Sequence, residues 1–572
     1  MKLDSTRMPL AHERVPRPDI YVDGHPVLIF NRGTVRRSGK EALRDNIEAA
    51  MWVMEFVKPL FGPNRLNKLI TVREGRSTLT FLSSDLRTIF RKVKVEHPLA
   101  RFLAGAGIAV SREKGDGAVS TILLAGKILE KCKRLLDLGM HPSTILDGVI
   151  SAYKKVLELS DKLTVKELSL EQTIRLGIRS ALLGKLPMDE VDHFTDLLYR
   201  AVQLLGAENL RREGSSLVDF KKAPGGSLRE SHLVEGLALT MEIPHVNMPR
   251  MVEGARIAAI RGELRIPNKK LTRYMDYSFS FEDPGDMEKF EGLKKSFLTE
   301  LAHRVTDAGA NVIMVERGID DFLLEYFAER GILAVRGIPP PEFDRVAKAV
   351  GAKITTHLDH TSREDLGWAE KIFEKKLGRQ RLLYVTGCRN PGTLDMVLRG
   401  SPKHLLDDVE RVVKGALATV KAVAEDPRMV WGGGAFEEQV ALYLRRYANQ
   451  LPGKIQIVVG AVAEAFEAMP AMLGENIGLR EVDVAAELRS MHARNRSTMG
   501  VDQNRRGIAD MSESFILDPL AVKLQTVKSA FEAAVTILRI DEYIIARELP
   551  EPERHYVERI KKSEKQVPGE EE

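Results

Sequence analysis

A chain of 572 residues is too long for one hydrophobic core and implies about two to four domains. With 86 basic against 81 acidic side chains, its surface is heavily charged yet nearly balanced, which argues against the one-sided basic footprint of a nucleic-acid binder. Two cysteines, Cys132 and Cys388, exclude a disulfide framework and fit a reducing compartment.

The first 19 residues are polar and Pro-rich and read as a flexible arm without a signal-peptide core. No uncharged apolar run approaches the roughly 20 residues a membrane span needs, so no membrane partner and a cytoplasmic location are expected. "IYVDGHPVLIF" holds strand-like runs around Asp23-Gly24, a hairpin signal. From Gly39 a helix pattern carries Ala42, Ile47, Ala50, Met54 and Val57 near helical spacing and stops at "FGPNR", where Gly62-Pro63 forces a turn. "LITVRE" and "STLTFL" form a strand pair, followed by helices over 85–113, 118–138 and 142–160; Cys132 falls on an apolar stripe.

From 217 to 371 the texture changes, with strand-like "GLALTMEI", "ARIAAIRGEL", "ANVIMVE", "ILAVRGI" and "AKITTHL" among helices. "ANVIMVERGIDDFLLEYFAERGILAVRGI" reads as a strand-helix-strand unit. Asp283 and Pro284 open a further helix whose face is Met287, Phe290, Leu293, Phe297 and Leu301. After 408 the chain is helical again. "VKSAFEAAVTILRIDEYIIAR" is expected as one long amphipathic helix, before a charged tail that reads as disordered. An α/β module therefore interrupts a helical one, whose two ends must meet if they form one domain.

Three glycine features fall on the helical ends: "FGPN" closes a helix, while "KGDGAVST" and "WGGGAFEEQ" each lead into one. Backbone N–H groups at a helix start attract anions, and glycine lets a phosphate approach closely. Neither matches the Walker pattern, and each alone is an ordinary cap. Asp85 in "FLSSDLRT" reads by itself as a solvated or capping carboxylate.

The blocks "GKEALRDNIEAA", "FGPNRLNKLI", "VEHPLARFLA", "GDGAVSTILLAGKILEK" and "GMHPSTILDGV" resemble the first part of a group II chaperonin, the thermosome and cytosolic-chaperonin family. The resemblance continues in register through "GANVIMVERGIDDFLLEYFAERGILAVR", "GCRNPGTLDMVLRGS", "WGGGAFEEQVALYLRRYA" and "VKLQTVKSAFEAAVTILRIDEYI", covering residues 22–547. It implies a multidomain α and α/β chaperonin fold. A helical equatorial domain would take residues 1–165 and 408–572, a small intermediate domain 166–222 and 372–407, and an α/β apical domain with a helical protrusion 223–371. It also implies two stacked rings of identical or paralogous subunits enclosing a chamber for unfolded or partly folded proteins, with ATP and Mg2+ as cofactors. Phe290, Leu293 and Phe297 would contribute to a built-in lid or to client contact; the alternative is that this stripe packs on its own domain.

The resemblance assigns nucleotide contacts to Gly62, Pro63, Asp116, Gly117, Ser120, Thr121, Gly432 and Gly433, with Asp518 at the ribose and Asp502 near the adenine. Asp116 would be the magnesium ligand, Asp85 would take part in hydrolysis, and Lys185 in "SALLGKLP" would sense the terminal phosphate. Four departures fall on this site. Arg65 replaces a glycine of the phosphate loop. Leu86 replaces the glycine after Asp85, at a cost of about 1 kcal/mol if that position has positive φ. Ala118 and Val119 replace two hydroxyls. Gly415 replaces the acid that activates the attacking water, leaving Asp407 and Asp408 as possible substitutes. Three readings remain: a subunit that binds ATP with hydrolysis weak or lost, a fully active folding ATPase using a substitute acid, and a holdase or structural assembly without nucleotide. The first predicts that Gly415→Asp raises turnover.

Overall fold

The computed structural model describes residues 20–22, 25–27, 35–74, 77–93, 95, 97–166, 168–265, 284–356, 361–389 and 392–545. The apolar stripe from Ala42 to Val57 forms the helix Gly39–Val57 and buries that face. It packs with helices Pro98–Lys114, Ala118–Asp137 and Pro142–Ser160 from the first part of the chain, and with Ala435–Ala448, Ile455–Asn476 and Leu520–Leu538 from the last. Their buried side chains make one continuous core, so the two helical ends of the sequence do meet. Cys132 lies in that core.

The expected helix over 85–113 is two helices, Leu86–Lys92 and Pro98–Lys114. Proline disfavours helical backbone in the residue before it, and His97 is extended, with its ring accepting from the Leu99 N–H. The strand pairs Ile20–Val22 with His25–Val27, and Lys68–Glu74 with Ser77–Ser83, form in antiparallel register. The last expected helix stops at Leu538; Glu542–Ile545 instead is a strand against Val35–Ser38, tying the described chain ends together. The β-branched pair Ile544-Ile545 suits a strand better than a helix.

A second core joins helices Leu170–Leu182, Met188–Leu205 and Lys403–Glu425 to a three-stranded sheet of Val218–Pro224, Leu394–Gly400 and His232–Val234. Helix Lys403–Glu425 is unbroken, and its buried face from Leu406 to Val423 belongs to this core.

The third core lies in a six-stranded sheet ordered Leu333–Val335, Val312–Val315, Met251–Ile260, Gly367–Leu377, Gln380–Cys388, Gly236–Thr240. Its first three strands are parallel, and Val312–Val315, helix Asp321–Glu329 and Leu333–Val335 form the expected strand-helix-strand unit. "AKITTHL" contributes only a bridge from Thr355 to Ile260, with His357 and Leu358 outside the described residues.

Helix Pro284–Asp307 lays Leu298, Ala302 and Val305 into this third core, while Leu293 is 39% exposed and Phe297 half-buried. The side chains of Met287 and Phe290 lie outside the described set. Helix Ile455–Asn476 is long and apolar enough to cross a membrane by length and composition, but 67% of its apolar window is buried inside the fold.

Candidate functional site

The loop 115–117 sits where the first two cores touch. Gly115 ends helix Pro98–Lys114 at φ +83°, and Gly117 begins helix Ala118–Asp137 at φ +90° with no side chain capping that start. A Cβ on Gly117 would stand 2.4 Å from Thr526 Oγ1, so the turn demands glycine sterically as well as conformationally. Between them, Asp116 Oδ1 lies 2.9 Å from Lys185 Nζ. Lys185 comes from the connection between helices Leu170–Leu182 and Met188–Leu205. Its neighbour Gly184 rides on the other loop, where a Cβ would meet Pro63 Cα at 2.8 Å. The second core therefore rests on both expected phosphate loops, and Lys185 is 11% exposed beneath it.

Burial works against the Asp116 charge, but Lys185 first and Arg65 second outweigh it, with help from the Gly117 N–H, and hold the carboxyl below its usual range. Burial also lowers Lys185, while Asp116 pulls the other way. Arg65 is desolvated in turn, faces the charges of Asp116 and Asp85, and has a buried Nε with no hydrogen-bond partner.

Asp85 caps helix Leu86–Lys92: its Oδ2 accepts from both the N–H and the hydroxyl of Thr88 at 2.9 Å. The expected strain at Leu86 does not arise. Leu86 is the first residue of that helix, is not among the residues at positive φ, and is buried in the first core. Arg411 Nε stands 3.4 Å from Asp85 Oδ2, and the same guanidinium pairs with Asp408. Ser83 Oγ donates to Asp408 at 3.4 Å, whereas Asp407 pairs away from the loop with Lys222 at 2.6 Å.

Gly415 meets this loop directly. A Cβ placed there would lie 2.8 Å from the Gly115 carbonyl oxygen, and Thr419, one turn on, donates its hydroxyl to the Lys114 carbonyl at 3.1 Å. Where the resemblance leads one to expect an acid, loop backbone fills the space.

Of the two remaining hydroxyls, Thr121 is fully buried and donates to the Gly117 carbonyl at 2.8 Å. Ser120 is half-buried. The rest of the expected set lies across the Gly62-Pro63 loop. Asn64 N–H donates to Asn476 Oδ1 at 2.8 Å, and Gln503 Nε2 donates to Asn64 Oδ1 at 2.6 Å, linking that loop to the strand pair Met499–Asp502 and Gly507–Asp510. Asp502 is buried and accepts from Asn504 N–H and Ser514 Oγ. Gly432 and Gly433 pack beside this pair, with Gly433 at φ +61°. Asp518 accepts from Ser180 Oγ at 2.6 Å and pairs with Lys523 at 3.0 Å. Arg411 and Ser180 carry no local motif; each reaches the site from a distant helix, so sequence spacing does not reveal them, whereas Lys523 stands five residues after Asp518.

This arrangement suits an anion. It offers two cations, an uncapped helix start and glycines that admit close approach. For a divalent ion the loop offers one carboxylate, Asp116, which is paired with Lys185 and faces Arg65.

A model of the TCP-1/cpn60 chaperonin family matches residues 53–548. Thermosome subunit alpha of Archaeoglobus fulgidus is 35% identical over 531 residues, covering 92% of this chain and 96% of that protein. The thermosome subunit of Pyrococcus horikoshii is 34% identical over 533 residues, covering 92% and 95%. Thermosome subunit alpha of Sulfurisphaera tokodaii is 35% identical over 561 residues, covering 96% and 98%. With one family matching nearly the whole of three packed cores, the chain belongs to the TCP-1/cpn60 chaperonins, on the group II branch that its thermosome relatives represent.

Proposed function

We propose that this chain is a subunit of a double-ring, protein-folding chamber that binds ATP and unfolded protein but hydrolyses ATP weakly or not at all. The thermosome relatives support the ring and the client role. The three cores support an equatorial, an intermediate and an apical domain, with the intermediate domain extended through helix Lys403–Glu425. Gly62, Pro63, Gly117, Ser120 and Lys185 would hold the phosphates. Gly432, Gly433, Asp502 and Asp518 would face the nucleoside, with Asp518 exchanging Ser180 for a ribose hydroxyl. Leu293, exposed on helix Pro284–Asp307, supports a lid or client contact.

One observation carries the weak-hydrolysis reading. The Gly115 carbonyl occupies the space beside Gly415, so no carboxylate stands there to orient water. Phosphoryl transfer to water depends on that positioning. Asp85 is engaged as a helix cap and by Arg411, so it is not free to replace it. Steady-state phosphate release by the purified full chain is expected to be far below that of a thermosome, with ATP binding still measurable and the particle of ring size. Release at thermosome level overturns this reading.

A second reading draws on Asp408, which shares Arg411 with Asp85 and could act as substitute acid. It requires brisk turnover that Asp408→Asn abolishes. An assembly without nucleotide, the third, requires calorimetry to detect no ATP binding.

A further inference from the structure

Three cations gather about the acids of these loops. Lys185 pairs with Asp116 at 2.9 Å. Arg65, set in the loop after Gly62-Pro63, acts on Asp116 electrostatically without a direct ion pair, and its Nε is buried and unpartnered. Arg411 is held on the far side by Asp85 and Asp408. Counted together, the acids Asp85, Asp116 and Asp408 are matched one for one by Arg65, Lys185 and Arg411.

A matched cluster of this kind holds no spare carboxylate to attract a divalent ion. A metal ion on Asp116 would share that carboxylate with Lys185 and stand near the charge of Arg65, repulsion that is strong where water is excluded. A phosphate chain meets the opposite situation. It supplies acceptors to the unfilled guanidinium and to the remaining donors of the Lys185 ammonium, and lies at the start of helix Ala118–Asp137. An arginine presents a planar fork that suits phosphate oxygens and stays charged when buried.

Resting on the nucleotide reading above, we propose that Arg65 and Lys185 serve as built-in counter-charge for the nucleotide phosphates, so that ATP and ADP bind this chain without magnesium. Arg65 is then the residue that sets metal independence, while Lys185 is shared with any nucleotide mode. The chain becomes a nucleotide-sensing subunit whose occupancy does not follow the divalent-ion level.

The test is calorimetric titration of the full-length protein with ATP and with ADP, in excess magnesium and in excess EDTA. The expected result is affinities within about threefold of each other in the two conditions. Arg65→Gln should weaken binding in EDTA by about tenfold or more, the loss of a charged hydrogen bond, while magnesium restores much of it. Arg65→Lys should retain most of the EDTA affinity. Thermal melting of each variant checks that it folds. Binding by the wild type in magnesium only overturns the metal independence and leaves the nucleotide reading intact. Binding in EDTA that Arg65→Gln leaves unchanged overturns the role of Arg65. Absence of binding in both conditions overturns the nucleotide reading itself.

Discussion

Gly415 is fixed by a carbonyl rather than by the helix it belongs to. Glycine inside a helix costs about 1 kcal/mol relative to alanine, so Gly415→Ala would ordinarily stabilise. Here the added carbon meets the Gly115 oxygen at 2.8 Å, a contact against backbone that only a shift of the loop relieves. Overpacking of this kind costs about 1–3 kcal/mol, so Gly415→Ala should lower stability despite its better helix propensity, read as a drop in the urea midpoint. Gly415→Asp meets the same oxygen. The expectation that it restores turnover is therefore replaced by one of lower stability and unchanged slow phosphate release.

Another residue-scale test lies behind the triple glycine. Glu438 is 1% exposed, its Oε2 has no hydrogen-bond partner, and it faces Glu467, which accepts from Arg445 and Arg489. Burial, reinforced by Glu467 and opposed by Arg489 and Arg445, pushes the Glu438 carboxyl up to about 8. The native state then keeps a proton that the unfolded chain releases near pH 4.5, so stability falls as pH rises from about 4.5 to about 8. The slope reaches at most about 1.4 kcal/mol per pH unit. Melting temperature followed across this window should decline, and Glu438→Gln should flatten the decline; an unchanged slope in the variant refutes it.

At the scale of elements, the second and third cores are joined by a charged latch. Helix Pro340–Val350 buries Phe343 and Val346 in the third core and sends Arg345 to the sheet of the second. Its guanidinium bonds Asp219 Oδ2 at 2.6 Å and pairs with Asp395, which is 1% exposed and also accepts from the Ala238 N–H. One turn earlier, Glu342 takes Lys221 at 2.7 Å. Removing one partner of a buried pair leaves an uncompensated charge and costs about 3–5 kcal/mol. Arg345→Ala should destabilise by that order in denaturant unfolding and raise proteolytic cleavage between the two cores. Arg345→Lys, which cannot span both acids in a fork, should recover only part of the loss.

Across the whole molecule, the parts legible in the sequence are those governed by local pattern. Helical spacing from Ala42 to Val57, the strand-helix-strand run around Asp321–Glu329 and the glycine turns before Ala118 and Ala435 each satisfy their own residues and fold as read. Where local pattern failed, a partner distant in sequence had decided. Glu542–Ile545 left the helix because Val35–Ser38 offers its strand edge. Helix Lys403–Glu425 runs unbroken through residue 408 because Val413, Leu417 and Val420 pack on helices from the other flank. The site divides in the same way. The sequence by itself determined which loops could approach a phosphate, because glycine and a free helix start are local properties. Only the tertiary structure decided which charges sit there. It set Lys185 on Asp116, enclosed Arg65, bound Asp85 to Arg411 and filled the space beside Gly415 with a carbonyl. These are contacts between residues tens to hundreds of positions apart, and no sequence spacing encodes a distance that only packing sets.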